Sequence, residues 1–261
     1  MTDVYVDRCR LSFRVEGPQE APPLLLLNSL GTTTELWSAQ LERLLPLFRV
    51  IRYDTRGHGR SDSPAGDYSL ECLGRDAMAI LDAAGAPHAH ACGVSLGGMV
   101  ALWLAANAPD HIDRVVAANT GATIATPEFW EQRIAAAQTQ GLPGIADAVT
   151  ARWFTDRFRQ TDLAITDRFR SMLSESTAQG YVGCCAALRD ADLREDLERI
   201  TAPVLIITGA EDKATPPEAG TFIRHRVSNA RGVTLDAAHL SNVEQADAFT
   251  SAMLTFLREL D

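Results

Sequence analysis

The pentapeptide Gly93-Val94-Ser95-Leu96-Gly97 places a serine between two glycines, where an apolar run meets a long apolar stretch with helical periodicity. This pattern is typical of a sharp strand–turn–helix in which a strained backbone raises the serine hydroxyl above a sheet edge. Glycine is favoured two positions before and two after the serine because neighbouring chain crowds both positions. The Leu96 N–H opens the following helix and points into the same space. The turn therefore predicts a nucleophile and an oxyanion donor side by side.

Short apolar runs bounded by turn residues alternate with helical patterns along most of the chain, as is typical of parallel strands covered by helices. The predicted strands are 10–16, 24–28, 50–53, 89–93, 115–119, 204–209 and 232–236. The predicted helices are 37–45, 70–84, 96–108, 217–227 and 243–259. With the serine turn, this alternation predicts an α/β protein of the α/β-hydrolase fold, with a mostly parallel, doubly wound sheet.

The alternation stops between about residues 120 and 200, where helical patterns follow one another without a clear strand. We interpret residues 121–199 as an inserted helical cap, and residues 1–120 and 200–261 as the core. Aromatic side chains in the cap could wall off a pocket over the carboxyl ends of the strands. They could equally pack the cap helices onto the core. These residues are Phe129, Trp130, Trp153, Phe154, Phe158 and Tyr181.

Charge and composition exclude several classes of partner. Lys and Arg number 24 and Asp and Glu 34, giving a net charge of −10 that repels nucleic acid and anionic membranes but not small anions. The longest apolar run, residues 21–27, is too short to span a bilayer, and the N-terminal residues lead us to expect no secretion. Five cysteines without a paired spacing suit free thiols. We therefore expect a cytoplasmic protein acting on a small molecule.

A serine hydroxyl needs a general base, and chain order in this fold is serine, then acid, then histidine. Of the histidines after the serine, His225 lies in a helical pattern with basic neighbours, whereas His239 follows the last predicted strand. Strand-end loops carry the chemistry of such folds, so His239 is the predicted base. Asp212 is the preferred acid in the turn after strand 204–209, with Glu211 beside it and Asp236 as the alternative.

The second oxyanion donor is expected in the loop after strand 24–28, where the chain reads Asn28-Ser29-Leu30-Gly31 and the Leu30 N–H is the candidate. No metal-binding spacing or phosphate loop occurs in the sequence. Gly57-His58-Gly59 begins like a dinucleotide-binding motif but lacks its third glycine. We expect neither a metal nor a cofactor.

Several segments resemble the bacterial 3-oxoadipate enol-lactonases, a family of the α/β-hydrolase superfamily, and the resemblance runs nearly end to end. The more discriminating segments are the loop at residues 28–31, the cap segment at 151–155 and the segment at 238–244. Segments shared with many hydrolases of this fold lie at 52–59 and 93–99. By position, the resemblance implies Ser95 as nucleophile, Asp212 as acid and His239 as base, in agreement with the reading of the residues.

The resemblance implies hydrolysis of 3-oxoadipate enol-lactone to 3-oxoadipate, a step of the β-ketoadipate pathway of aromatic catabolism, through an acyl-enzyme. The substrate carries a free carboxylate, for which an arginine is the natural partner. Arg133, beyond Trp130, and Arg152, beside Trp153, are the candidates for its pocket, although both could be solvated surface charges.

Two alternatives stay open at the level of the sequence. One is another serine hydrolase of the same fold, such as a carboxylesterase, a carbon–carbon bond hydrolase or a cofactor-free haloperoxidase-like enzyme, because fold alone does not separate these activities. The other is a non-catalytic sensor that binds a small ligand. Sensors of this fold commonly lose a member of the catalytic triad, and all three members are present here.

Overall fold

The computed structural model describes residues 2–259, and eight strands within this range form one sheet. In chain order the strands are β1 (Thr2–Val6), β2 (Cys9–Glu16), β3 (Pro23–Leu27), β4 (Arg49–Tyr53), β5 (Ala89–Val94), β6 (Ile112–Ala118), β7 (Val204–Gly209) and β8 (Ala230–Leu235). Their order across the sheet is β1-β2-β4-β3-β5-β6-β7-β8. The pairs β1–β2 and β2–β4 are antiparallel, and every other pair is parallel.

The chain reverses its direction of travel across the sheet at β3. It moves from β3 to β4 on one side and then returns to place β5 on the other side, before β6, β7 and β8 follow in order. Because crossovers between parallel strands are right-handed, such a reversal puts the helices on opposite faces. The predicted mostly parallel, doubly wound sheet is confirmed. At such a reversal, the carboxyl ends of the neighbouring strands leave a crevice between the loops that follow them.

Ten α-helices occur within the described range. They are α1 (Leu41–Leu44), α2 (Leu70–Ala83), α3 (Leu96–Asn107), α4 (Pro127–Thr150), α5 (Asp156–Thr161), α6 (Leu163–Ser174), α7 (Ala178–Asp190), α8 (Pro217–Arg226), α9 (Ser241–Glu244) and α10 (Ala246–Leu257). Short 3-10 helices cover Thr34–Trp37, Pro109–His111 and Asp196–Arg199. None of the helices within residues 2–259 has both the length and the apolar character that a membrane crossing needs.

Three predictions about individual elements were wrong. Strand β1 was missed, because its half-exposed edge position gives no apolar run. The predicted helix 37–45 is instead a 3-10 turn capped by the Thr33 side chain, followed by the short helix α1. The predicted helix 243–259 is divided into α9 and α10, because Gln245 (φ −124°, ψ 51°) leaves the helical region.

Helices α4 to α7 occupy the chain between β6 and β7, with α4 packed against both α6 and α7. Helix α4 is kinked at Gly141 (φ 68°, ψ 169°), two residues before Pro143, which cannot donate a helical hydrogen bond. The division into a core (1–120, 200–261) and a cap (121–199) stays a prediction. Residues 1, 260 and 261 of its bounds lie outside the described residues.

Candidate active site

Ser95 stands between β5 and α3 in a strained backbone conformation (φ 57°, ψ −117°), which non-glycine residues rarely adopt. Two hydrogen bonds to the end of β6 and the residues after it hold this conformation. The Ser95 N–H donates to the Ala118 carbonyl (2.9 Å), and the Ser95 carbonyl accepts from the Thr120 hydroxyl (2.8 Å). The Ser95 side chain does not cap α3, so its hydroxyl is not used to stabilise the helix.

The two glycines of the turn are required by close packing of the backbone. A Cβ on Gly93 would lie 2.1 Å from the Gly97 carbonyl oxygen, and one on Gly97 would lie 2.2 Å from the Leu27 carbonyl oxygen. Both distances are far inside van der Waals contact with backbone, so neither neighbour could move aside without distorting β3 or α3. The spacing that singled out this turn in the sequence thus has a direct steric cause.

His239 and Asp212 form a buried hydrogen-bonded pair, with His239 Nδ1 2.9 Å from Asp212 Oδ2. This carboxylate also accepts hydrogen bonds from the N–H groups of Ala214 (2.8 Å) and Thr215 (2.9 Å) and from the Thr215 hydroxyl (2.6 Å). Burial by itself would raise the pKa of Asp212, but the His239 imidazole and the hydrogen bonds from His239 and Thr215 hold it well below its usual range. The carboxylate is therefore ionised at neutral pH.

Asn119 joins this pair, and sequence reasoning missed it. Its side-chain amide donates to Asp212 Oδ2 (3.0 Å) and to the Ala238 carbonyl (3.1 Å), and its carbonyl oxygen accepts from the Ser241 hydroxyl. Asn119 follows β6 with φ 47°, a conformation that asparagine tolerates better than most residues. An asparagine at the carboxyl end of a strand beside β7 was the available signal.

The other candidates for acid and base lie elsewhere. Asp236 forms an exposed ion pair with Arg157 (3.1 Å), and 70% of its side chain is accessible to solvent. Glu211 is exposed in the turn beside Asp212, and His225 is exposed on α8. The structure brings only Asp212 to the imidazole of His239 among these acids.

A cavity lies against Ser95 and His239. Leu30 lines it on the same side, and Asp212 lies behind His239. Leu96 supplies the first N–H of α3. The N–H groups in the first turn of a helix lack partners within that helix. Residues from the chain between β6 and β7 form the opposite wall, among them all four predicted to bind substrate: Trp130, Arg133, Arg152 and Trp153.

Arg133 and Arg152 give this opposite wall a positive charge. Their guanidinium carbons lie 5.3 and 5.1 Å from the ring centroid of Phe129. Arg133 donates to the Tyr181 hydroxyl (3.3 Å), and Arg152 donates to the Lys213 carbonyl (2.9 Å). Burial and the nearby charge of Arg133 lower the pKa of Arg152, against the opposing effect of Asp212. Among residues 2–259 neither arginine has a carboxylate partner, so an anion in the cavity would neutralise unpaired charge.

Glu244 connects the opposite wall to the loop that carries His239. Its carboxylate accepts from the Thr155 N–H (3.1 Å), the Ala238 N–H (3.1 Å) and the Thr155 hydroxyl. The Leu240 N–H donates a further hydrogen bond between the same two segments, to the Trp153 carbonyl (2.9 Å). The segments at 151–155 and 238–244, which the resemblance singled out in the sequence, are therefore in direct contact. No group of three or more histidine, cysteine or acidic side chains suited to a metal ion occurs in the described part of the chain.

Comparison with known proteins agrees with this architecture. A family model described as alpha/beta hydrolase fold matches residues 22–246, so the chain belongs to the α/β-hydrolase fold family. Within it, the chain is 38% identical to 3-oxoadipate enol-lactonase 2 of Acinetobacter baylyi and 37% identical to enol-lactonase 1 of that organism. Each alignment covers 96% of this chain and 94% of the relative. The resemblance to enol-lactonases predicted from the sequence is confirmed.

A solved structure supports the same relationship. The crystal structure of the enol-lactonase from Burkholderia xenovorans LB400 superposes with a TM-score of 0.97 at 39% identity, covering 99% of this chain and 100% of that one. At this similarity the two chains share the whole fold, including the helices between β6 and β7.

Proposed function

We propose that this protein hydrolyses 3-oxoadipate enol-lactone to 3-oxoadipate, as a step in the catabolism of aromatic compounds. Similarity to enol-lactonases over nearly the full chain supports the reaction. The observation that carries the proposal is the cavity itself. Ser95 and His239 line one wall, and Asp212 is hydrogen-bonded to His239 behind it. Two arginines line the other wall, and neither has a carboxylate partner among residues 2–259.

In the proposed first step, Ser95 Oγ attacks the lactone carbonyl carbon while His239 Nε2 accepts the hydroxyl proton. The ionised Asp212 accepts a hydrogen bond from Nδ1–H, so Nε2 carries the lone pair that this step needs. The charge that develops on the carbonyl oxygen is stabilised by the N–H groups of Leu30 and Leu96. Fixed donors of this kind contribute roughly 3 kcal/mol each in serine hydrolases.

The tetrahedral intermediate then breaks its bond to the ring oxygen, which leaves as an enolate. His239 returns the proton to this leaving group, and the resulting enol converts to the more stable ketone, which favours ring opening. Water then attacks the acyl-enzyme, with its proton passing to His239, and the bond from the acyl carbon to Ser95 breaks. The second carboxylate is released and Ser95 regains its proton.

The substrate's free carboxylate binds at the arginine wall in this proposal. Arg133 and Arg152 would offer charge-assisted hydrogen bonds, with Trp130 and Trp153 covering the apolar part of the ring. The helices at 121–199 then act as a cap that selects an anionic lactone, while the strand ends carry out acyl transfer. An ester that lacks a carboxylate would use the same chemistry but not the same binding groups.

The discriminating experiment compares turnover of the enol-lactone with turnover of p-nitrophenyl acetate by the purified protein. We expect kcat/KM for the enol-lactone to be higher by at least about tenfold, as an unused charged contact implies about 1.5–3 kcal/mol. Rapid ester hydrolysis without enol-lactone turnover would instead identify a general carboxylesterase.

A further inference from the structure

The proposed mechanism needs the Leu30 N–H to point into the cavity, and the surrounding loop contains contacts that fix its direction. Leu30 is buried, lines the cavity, and its N–H has no hydrogen-bond partner among the described residues. An N–H in a loop can rotate away with its peptide plane unless another contact fixes that plane. Two buried side chains, Thr32 and His58, provide such contacts.

Thr32 fixes the peptide unit that contains the Leu30 N–H. That unit also contains the Ser29 carbonyl, which accepts two hydrogen bonds from Thr32: one from its N–H (3.1 Å) and one from its hydroxyl (2.7 Å). In a trans peptide the C=O and N–H bonds point in opposite directions. Holding the Ser29 oxygen on the side of Thr32 therefore directs the Leu30 N–H away from it.

His58 fixes the next peptide unit. Its Nε2 accepts the Gly31 N–H (2.9 Å), and its Nδ1 lies 3.3 Å from the Arg56 carbonyl, to which Nδ1–H can donate. Acceptance at Nε2 requires the neutral ring with its proton on Nδ1, and burial lowers the pKa of His58, which favours the neutral form. Gly31 has φ 77°, and a Cβ there would lie 2.7 Å from the Leu173 side chain. The peptide planes on both sides of the Leu30 Cα are thus held from outside the cavity.

We propose that Thr32 and His58 are positioning residues of the oxyanion hole, which direct the Leu30 N–H toward the carbonyl oxygen that Ser95 attacks. This inference rests on the proposed function, because it assigns Leu30 the role of oxyanion donor. Neither side chain lines the cavity, so neither needs to touch the substrate. Their effect falls on the transition state, where the oxygen becomes charged, and not on binding of the neutral carbonyl.

Matched substitutions at Thr32 test the proposal. Thr32→Val preserves the shape of the side chain but removes the hydroxyl, whereas Thr32→Ser retains it. Loss of a complete oxyanion donor lowers kcat by about 10²–10³, so a misdirected donor should lower kcat by about tenfold to a hundredfold. We expect this loss in Thr32→Val with KM within about twofold of wild type, and rescue of most of kcat in Thr32→Ser.

Matched substitutions at His58 provide a second, independent test. His58→Gln can still accept the Gly31 N–H, whereas His58→Leu cannot, so we expect kcat to follow the order wild type, Gln, Leu. Thermal unfolding by circular dichroism is recorded for all four variants, and this pair decides the question if Thr32→Val does not fold. Unchanged kcat in Thr32→Val, equal losses in both members of each pair, or a change in KM alone would overturn the proposal.

Each variant is assayed with both the enol-lactone and p-nitrophenyl acetate. The oxyanion hole serves both carbonyl groups, so the ratio of kcat between variant and wild type should be similar for the two compounds. A wild-type protein that hydrolyses only p-nitrophenyl acetate would refute the proposed substrate, but the variant ratios on that ester would still test the roles of Thr32 and His58.

Discussion

The two walls of the cavity are built by different means. The wall with Ser95 consists of turns at strand ends, where backbone conformation and close backbone contacts fix each group. The opposite wall consists of long side chains on helices between β6 and β7, with Arg133 and Arg152 held by single hydrogen bonds and by Phe129. In the proposed function, the first wall carries out the reaction and the second selects the molecule that binds there.

The largest effect should come from the first wall. Asp212→Asn removes the charge that opposes the developing imidazolium and can place the wrong tautomer of His239 toward the serine. We expect kcat to fall by about 10⁴ with both substrates, as for the equivalent change in other serine triads. Steady-state kinetics at pH 7–8 measures this fall.

Asp236→Asn is the matched control, because this carboxylate is exposed and pairs only with Arg157 among the described residues. We expect its kcat to stay within about twofold of wild type, the usual range for a surface substitution. Equal losses in the two variants would mean that the acid of the triad is not Asp212 alone.

Substitutions on the opposite wall should separate the two substrates. Arg133→Gln and Arg152→Gln should each raise KM for the enol-lactone by about tenfold to a hundredfold, the value of a charge-assisted hydrogen bond. Hydrolysis of p-nitrophenyl acetate should change by less than about threefold, because this ester has no carboxylate to bind. Arg170→Gln, which breaks an exposed pair with Asp147 in the same region, is the control. Equal losses on both substrates would remove the distinction between the walls.

The smallest effect is expected where the walls meet. Glu244→Gln weakens the contacts from Thr155 and Ala238 by removing the charge of their acceptor. We expect the free energy of unfolding to fall by about 1–2 kcal/mol and kcat by a few-fold, as for other partly buried hydrogen bonds. Urea unfolding and steady-state kinetics provide the two values, with the substitution Glu131→Gln at an exposed position of α4 as control. No difference between these variants would show that the walls are energetically independent.

The same contrast explains what the sequence could predict. Gly93 and Gly97 have a local steric cause, so their spacing identified the serine turn and, with the strand periodicity, the fold. Asp212 and His239 follow strand ends that a doubly wound sheet brings together. Asn119 and Glu244 were missed as partners because their roles depend on contacts between segments far apart in the chain.

The opposite wall was less predictable for a related reason. A helical pattern shows which residues share a face but not which neighbours they meet, so the sequence left Arg133 and Arg152 as either pocket or surface charges. The packing of α4 on α7 brings Arg133 to Tyr181, and Arg152 contacts the Lys213 carbonyl, far away in the chain. Helix packing of this kind depends on side chains from several segments at once and leaves no local pattern.

The central claim is that Ser95 opens the enol-lactone ring, and loss of enol-lactone absorbance tests it most directly with wild type and Ser95→Ala side by side. We predict rapid loss with wild type and a kcat lower by about 10⁴ or more in Ser95→Ala, with an unchanged unfolding midpoint. Equal rates in the two proteins, or no loss of absorbance with folded wild type, would contradict the account.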